Sequence, residues 1–127
     1  MKEKFELEFM LNSSPRVLEN MIITPSGLSK WFADDVNVHD DIYTFEWDGS
    51  EEQARLVSGK SGSKIRFQWL SDEEEGLETY FEIGYHIDPI TSSVALRITD
   101  FAYPDDKESA KLLWDQQVHD LKRLLGA

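Results

Sequence analysis

Hydrophobic and polar residues alternate strictly from Glu3 to Leu11, with Phe5, Leu7, Phe9 and Leu11 on one face and Glu6, Glu8 and Met10 on the other. A period of two marks a strand with one face buried. The period then changes. Ser14 is a good N-cap, and Pro15 suits the first helical position because its missing N–H would be unpaired there anyway. Val17, Leu18, Met21 and Ile22 follow as a helical stripe. Thr24-Pro25 repeats the device, and Leu28, Trp31 and Phe32 stand at i, i+3 and i+4 on a second short helix.

From Asp34 to Phe101 the period returns to two. The inward sets are Val36 and Val38; Tyr43, Phe45 and Trp47; Ala54 and Leu56; Ile65, Phe67 and Trp69; Thr79, Phe81, Ile83, Tyr85 and Ile87; and Val94, Leu96 and Ile98. Turn chemistry separates them at His39-Asp40-Asp41, Asp48-Gly49-Ser50, Gly59 to Ser63, the acidic run Asp72-Glu73-Glu74-Glu75 ending in Gly76, and Asp88-Pro89. The acidic run reads as a solvated turn. Six consecutive strands with short connections imply an antiparallel meander, because parallel neighbours would need long crossovers.

A sheet apolar on one face needs a cover. Ala110, Leu113, Trp114, Val118, Leu121, Leu124 and Leu125 supply it as one stripe on a long C-terminal helix. Asp105 or Asp106 is its expected cap, with Glu108 completing a capping box if Asp105 serves. Lys122 and Arg123 suit the last turn, and Gly126 ends it. The expectation is an α+β fold: a curved, antiparallel, seven-stranded sheet wrapped around the long helix, with two short helices between strands one and two. The 127 residues suit a single domain over 1–127.

Composition narrows the function classes. The 25 Asp and Glu against 13 Lys and Arg leave a net charge of −12. That surface repels phosphate backbones and anionic lipid, so neither nucleic acid nor membrane is an expected partner. With no cysteine there is no disulfide, thiol catalysis or iron–sulfur site. Charges interrupt the first residues, no apolar run reaches the roughly 18 residues of a membrane span, and a cytoplasmic location is the default.

Asn12-Ser13-Ser14-Pro15-Arg16-Val17-Leu18, then Thr24-Pro25-Ser26-Gly27-Leu28-Ser29-Lys30-Trp31-Phe32, and the closing Trp114, Leu121 and Leu124 resemble the START-like (SRPBCC) superfamily, in the branch related to the activator of the heat-shock chaperone ATPase. The resemblance implies the helix-grip fold and a groove between sheet and long helix for an apolar or aromatic small molecule. Its members include lipid carriers, polyketide cyclases and chaperone activators. Leu18 replaces a frequent aromatic and Leu113 a common Gly, and both would narrow a cavity beneath the helix.

Candidate ligand-binding residues are Trp31, Phe67, Trp69, Phe81, Tyr85, Asp100, Trp114 and Val118, all in the inward phase or on the helix stripe. They serve equally well as a filled core. Asp100 breaks the pattern: it continues the inward phase of Val94, Leu96 and Ile98, after which Phe101 and Tyr103 take the opposite one. We expect a β-bulge near Thr99 that turns it outward. The alternative is a buried carboxylate at the cavity mouth with a raised pKa. His39, His86 and His119 are out of phase with the core and are expected to face water, with no metal spacing among them. The acid pairs Asp34-Asp35, Asp40-Asp41, Glu51-Glu52 and Asp105-Asp106 read as turns and caps. Lys64, Arg66 and Arg97 are expected to pair across strands with Glu78 and Glu82. Gly59 to Ser63 lacks both the nucleophile-elbow and phosphate-loop patterns and reads as a flexible hairpin.

No cofactor or metal is implied. Three functions remain: a non-catalytic domain holding a small hydrophobic ligand; an interaction module, as a homodimer or with a chaperone, using outward Met10, Val57, Leu70 and Tyr80; and an enzyme pairing Asp100 with Tyr85 or Tyr103. The first leads, because no paired acid and base converge.

Overall fold

The computed structural model describes residues 1–59 and 63–126. Lys60, Ser61 and Gly62, within the expected flexible hairpin, lie outside the described residues. Strand β1 (Glu3–Leu11) is followed by α1 (Pro15–Ile23), α2 (Pro25–Trp31), β2 (Asp35–His39), β3 (Ile42–Trp47), β4 (Ser50–Ser58) and β5 (Lys64–Trp69). A short helix α3 (Leu70–Glu74), β6 (Phe81–Ile87), β7 (Val94–Ala102) and the long helix α4 (Lys107–Leu125) complete the chain. The strands form one antiparallel sheet in the order β1-β7-β6-β5-β4-β3-β2. This is the α+β helix-grip arrangement, with α4 laid on the apolar face.

Both expected caps form. The Ser14 hydroxyl accepts from the Val17 N–H at 3.2 Å, and the Thr24 hydroxyl accepts from the Gly27 N–H at 2.9 Å. Gly27 is where α2 meets α1: a Cβ there would collide with the Asn20 carbonyl and the Met21 backbone. The hairpin after β3 places Asp48 at φ 39° and Gly49 at φ 86°, the left-handed pair of a primed two-residue turn. Together these turns deliver Phe32 and Trp47 to the same end of the concave face.

Several expectations change. The acidic run forms a short helix in which Glu73, Glu74 and Glu75 are solvated as expected, but Asp72 is not. Asp72 is only 4% exposed, and its carboxylate takes the Lys2 ammonium at 2.9 and 3.0 Å and the Thr79 hydroxyl. A buried acid with three such contacts is tied to the chain's start, and Thr79 leaves the strand to serve it. β6 accordingly begins at Phe81. The capping box is absent: a 3-10 turn over Pro104–Asp106 precedes α4, and Asp106 makes no side-chain cap bond. The stripe of α4 is also narrower than expected. Trp114, Val118 and Leu121 are buried, with Ala110 and Leu125 packed against them, whereas Leu113 and Leu124 flank this line in the open. Val17 and Val38 are likewise exposed, Val38 because it lies toward the far end of the edge strand β2.

The bulge expected near Thr99 does not occur. β7 pairs with β1 without a shift from Leu11↔Val94 to Glu3↔Ala102, and Asp100 lies opposite Phe5 in the inward phase. Two donors satisfy its carboxylate there, so the ladder has no reason to break. Phe101 takes the outer face against Tyr80, with ring centroids 5.1 Å apart. The shift in apolar phase thus reports an outer aromatic pair, not a backbone irregularity. On the same outer face Arg66 pairs with Glu82 at 2.9 Å as expected, but Arg97 pairs with Glu8 of β1 at 3.4 Å, and Glu78 precedes β6.

Candidate functional site

Trp47 ends β3, Trp69 ends β5, and Phe32 follows the last turn of α2. Trp69 lies opposite Ala54 of β4 and Trp47 opposite Ser50, and the two side chains lean toward each other over the intervening strand until their rings meet. Helix α4 brings Trp114 and Gln117 over them, one turn apart. With Glu52 of β4, Asp100 of β7 and Leu113 of α4, these residues line a partly enclosed groove of about 450 Å³.

Hydrogen bonds fix its walls. The Phe32 carbonyl accepts both the Trp47 indole N–H at 2.6 Å and the Gln117 amide at 2.8 Å. The Trp114 indole N–H donates to Asp100 Oδ2 at 2.9 Å, and the Phe101 N–H donates to Oδ1 at 2.7 Å. Phe32 stacks on Trp114 with centroids 5.5 Å apart and meets Trp47 edge-on at 5.4 Å, while Trp47 and Trp69 lie 6.1 Å apart. Buried indoles need a partner for their N–H, so these bonds set the ring orientations as well as their positions. Burial pushes the Asp100 carboxyl above its ordinary value of 3.8, and the Trp114 and Phe101 donors and the charge of Lys2 hold that rise back.

The eight expected site residues divide into three groups. Trp69, Asp100 and Trp114 line the groove. Phe67, Phe81 and Val118 are sealed below it, with Phe81 stacked on Trp69 at 4.8 Å and on Phe67 at 5.1 Å. Trp31 and Tyr85 belong elsewhere. The Trp31 indole donates to the Met21 carbonyl at 2.9 Å, and the Tyr85 hydroxyl donates to Glu19 Oε1 at 3.2 Å, both on the side of α1. Neither Tyr85 nor Tyr103 lines the groove with Asp100.

Phe32, Trp47, Glu52, Leu113 and Gln117 complete the lining and were not among the candidates. Glu52 shares the inward phase of Ala54, a signal obscured by its place in an acid pair that reads as a turn. Leu113 stands at the mouth, 57% exposed, and so does not narrow the space beneath the helix. Of the histidines, His39 and His119 are exposed, but His86 is half-buried, with Nδ1 unpaired and Nε2 3.3 Å from Arg97. Among the described residues no cluster of three or more His, Asp or Glu is placed to hold a metal ion, and no helix is long and apolar enough to cross a membrane.

Known proteins give this geometry its context. A comparison with curated proteins finds no match. Among solved structures, a Bacteroides fragilis protein determined by solution NMR is 43% identical, with a TM-score of 0.65 over 97% of this chain and 90% of its own. The Aha1 dimer from Colwellia psychrerythraea, also a solution structure, is 15% identical, with a TM-score of 0.78 over 97% and 96% of the two chains. A Chromobacterium violaceum crystal structure is 20% identical at a TM-score of 0.69, covering 98% and 99%. At such identities the last two speak for the fold, and the Aha1 likeness accords with the branch that the N-terminal motifs resemble. The model of the START-like superfamily domain matches residues 1–127; the chain belongs to the START-like superfamily.

Proposed function

We propose that this domain is a non-catalytic binding protein that holds a small molecule with an aromatic or apolar body between the sheet and α4. The observation that carries the reading is the groove itself: about 450 Å³, lined by four aromatic side chains, two of which, Trp47 and Trp114, are held by directed hydrogen bonds. Sites of this kind are concave, largely apolar, and equipped with a few fixed polar groups. Trp69, Asp100 and Trp114, together with Phe32 and Trp47, would contact the ligand, over a floor of Phe67, Phe81 and Val118.

Titration with a panel of small aromatic compounds, followed on the four indole N–H resonances, tests this. Shifts should fall on Trp47, Trp69 and Trp114 and spare Trp31, which is held against α1. No response across the panel, or a response led by Trp31, would remove the reading. Native mass spectrometry of the purified protein searches for the natural ligand directly.

A second reading, an interaction module acting as a homodimer, draws support from exposed Met10 and Val57 on the outer sheet and from the Aha1 relative solved as a dimer. Leu70 and Tyr80 do not add to it, being half-buried, with Tyr80 covered by Phe101 and by the Arg66 guanidinium 3.8 Å from its ring centroid. Sedimentation equilibrium that shows a monomer at high concentration would count against it.

A further inference from the structure

The groove combines aromatic faces with negative charge. Phe32, Trp47, Trp69 and Trp114 supply the faces, Glu52 and Asp100 supply carboxylates, and among the described residues no Lys, Arg or His lines it. A neutral apolar ligand fits such a place poorly. It would strip water from the exposed Glu52 carboxylate and offer no partner to the lone pairs that Asp100 keeps beyond its two N–H donors, and a charge left next to apolar matter is costly. An anionic ligand fits worse. A cation reverses both effects. The face of an aromatic ring carries the negative part of its quadrupole and attracts cations directly, most strongly for Trp.

The details favour a cation further. The Trp114 N–H points at the Asp100 carboxylate, which pushes electron density into the indole ring that lines the groove. Each Asp100 oxygen accepts one N–H and keeps lone-pair capacity for another partner. Lys2, the cation whose charge reaches Asp100, has its ammonium held by both oxygens of Asp72 and does not enter the lining. The net charge of −12 raises the local concentration of any cation around the mouth.

We propose that the groove selects a small organic cation, an ammonium with an aromatic or alkyl body, held between the four aromatic faces and the carboxylates of Glu52 and Asp100. This rests on the reading of the groove as a binding site. The lining suits an organic cation better than a bare metal ion, since most of it is aromatic or apolar and offers no ligand atoms.

Two compounds of the same shape test it: meta-hydroxyphenyl-trimethylammonium and meta-tert-butylphenol, which differ in a nitrogen for a carbon and hence in one charge. Each is titrated against the intact protein with the indole N–H resonances as the readout. The cation should bind about tenfold more tightly. Glu52→Gln alters an exposed side chain and so keeps the fold; it should cut cation affinity about threefold and leave the phenol unaffected. Asp100→Asn should act in the same direction. If the phenol binds as tightly as the cation, the choice of ligand class is wrong while the groove reading stands. If the cation is preferred equally by the parent and by both variants, the preference belongs to overall charge and the assigned carboxylates are wrong. If neither compound moves the resonances of Trp47, Trp69 or Trp114, the groove reading and the ligand class fall together.

Discussion

The seam between sheet and α4 has two halves that differ in how they are closed. Beneath α1 and α2 it is sealed: Leu18, Ile22, Leu28, Ile65 and Ile83 are completely buried, and Leu121 of α4 is buried as deeply. These side chains carry no polar atoms, so they settle wherever packing is densest. At the other half stand Trp47, Trp69 and Trp114. Two of their indoles are committed to particular acceptors, the Phe32 carbonyl and Asp100 Oδ2, and the geometry of those bonds overrides closest packing. The rings are thereby held apart and a groove remains. A cavity in this fold begins where hydrogen bonds, rather than volume, decide where the large side chains go.

Phe67 and Trp69 put that contrast on a single strand. They lie two residues apart on the same face of β5; Phe67 is completely buried and Trp69 half-buried at the groove. Phe67→Ala should cost about 3–5 kcal/mol, the transfer loss plus a cavity among Tyr43, Phe45 and Phe81 that cannot close. Trp69→Ala should cost about half as much or less, because part of the ring already meets solvent. Urea denaturation of the two variants decides it, and equal losses would erase the distinction between the halves.

Periodicity made most of the architecture legible, and it did so for a physical reason. Strand and helix phases depend on local sequence, and the caps at Ser14 and Thr24 are local bonds. The candidate site was less legible because it depends on what phase cannot encode. Trp31 and Trp69 are both inward by phase, yet one is pinned to the Met21 carbonyl and the other lines the groove. Asp100 looked like a residue that the strand should rotate away. Its inward position is made tolerable by Trp114, 14 positions later in the chain, and no local rule anticipates that bond. Asp72 is the same lesson at greater range, buried because Lys2 reaches it from 70 positions away. Glu52 was within reach of phase analysis, but its acidic neighbour made it read as a turn residue.

Removing one of the bonds that hold the groove open gives a smaller effect with a distinctive pH signature. Trp114→Phe keeps an aromatic ring and deletes the N–H to Asp100, which should cost about 1–2 kcal/mol near neutral pH. The folded-state pKa of Asp100 is raised by burial, so its ionisation works against folding: the penalty is absent below the ordinary value of 3.8 and grows as pH rises through the folded-state pKa. The lost indole donor was holding that rise back, so the variant's carboxyl should titrate higher still. The stability gap between parent and variant should therefore be widest above both folded-state values and narrow on acidification to the packing loss alone. Carbon-detected NMR of the Asp100 carboxyl reads the shift directly, and a value in the variant at or below that of the parent would contradict the role given to Trp114.

The smallest stability change sharpens the contrast most, because it separates two leucines of one helix. Leu121 is completely buried and Leu113 is 57% exposed at the groove mouth. Leu113→Ala should move stability by no more than about 0.5 kcal/mol, as for an ordinary surface site, with the better helix propensity of alanine over most residues working in its favour. Its consequence lies in access. Shortening the side chain removes part of the rim over Trp69 and Trp114, so a neutral quencher such as acrylamide should reach their indoles more readily while the fluorescence of Trp31 stays as protected as before. Quenching that is unchanged, with stability also unchanged, would mean that Leu113 does not control the opening and that the mouth is set by Gln117 and Trp114 alone. Stability that falls by as much as a buried leucine would cost, about 2–5 kcal/mol, would mean that Leu113 belongs to the sealed half after all and that the boundary between the two halves lies further along α4.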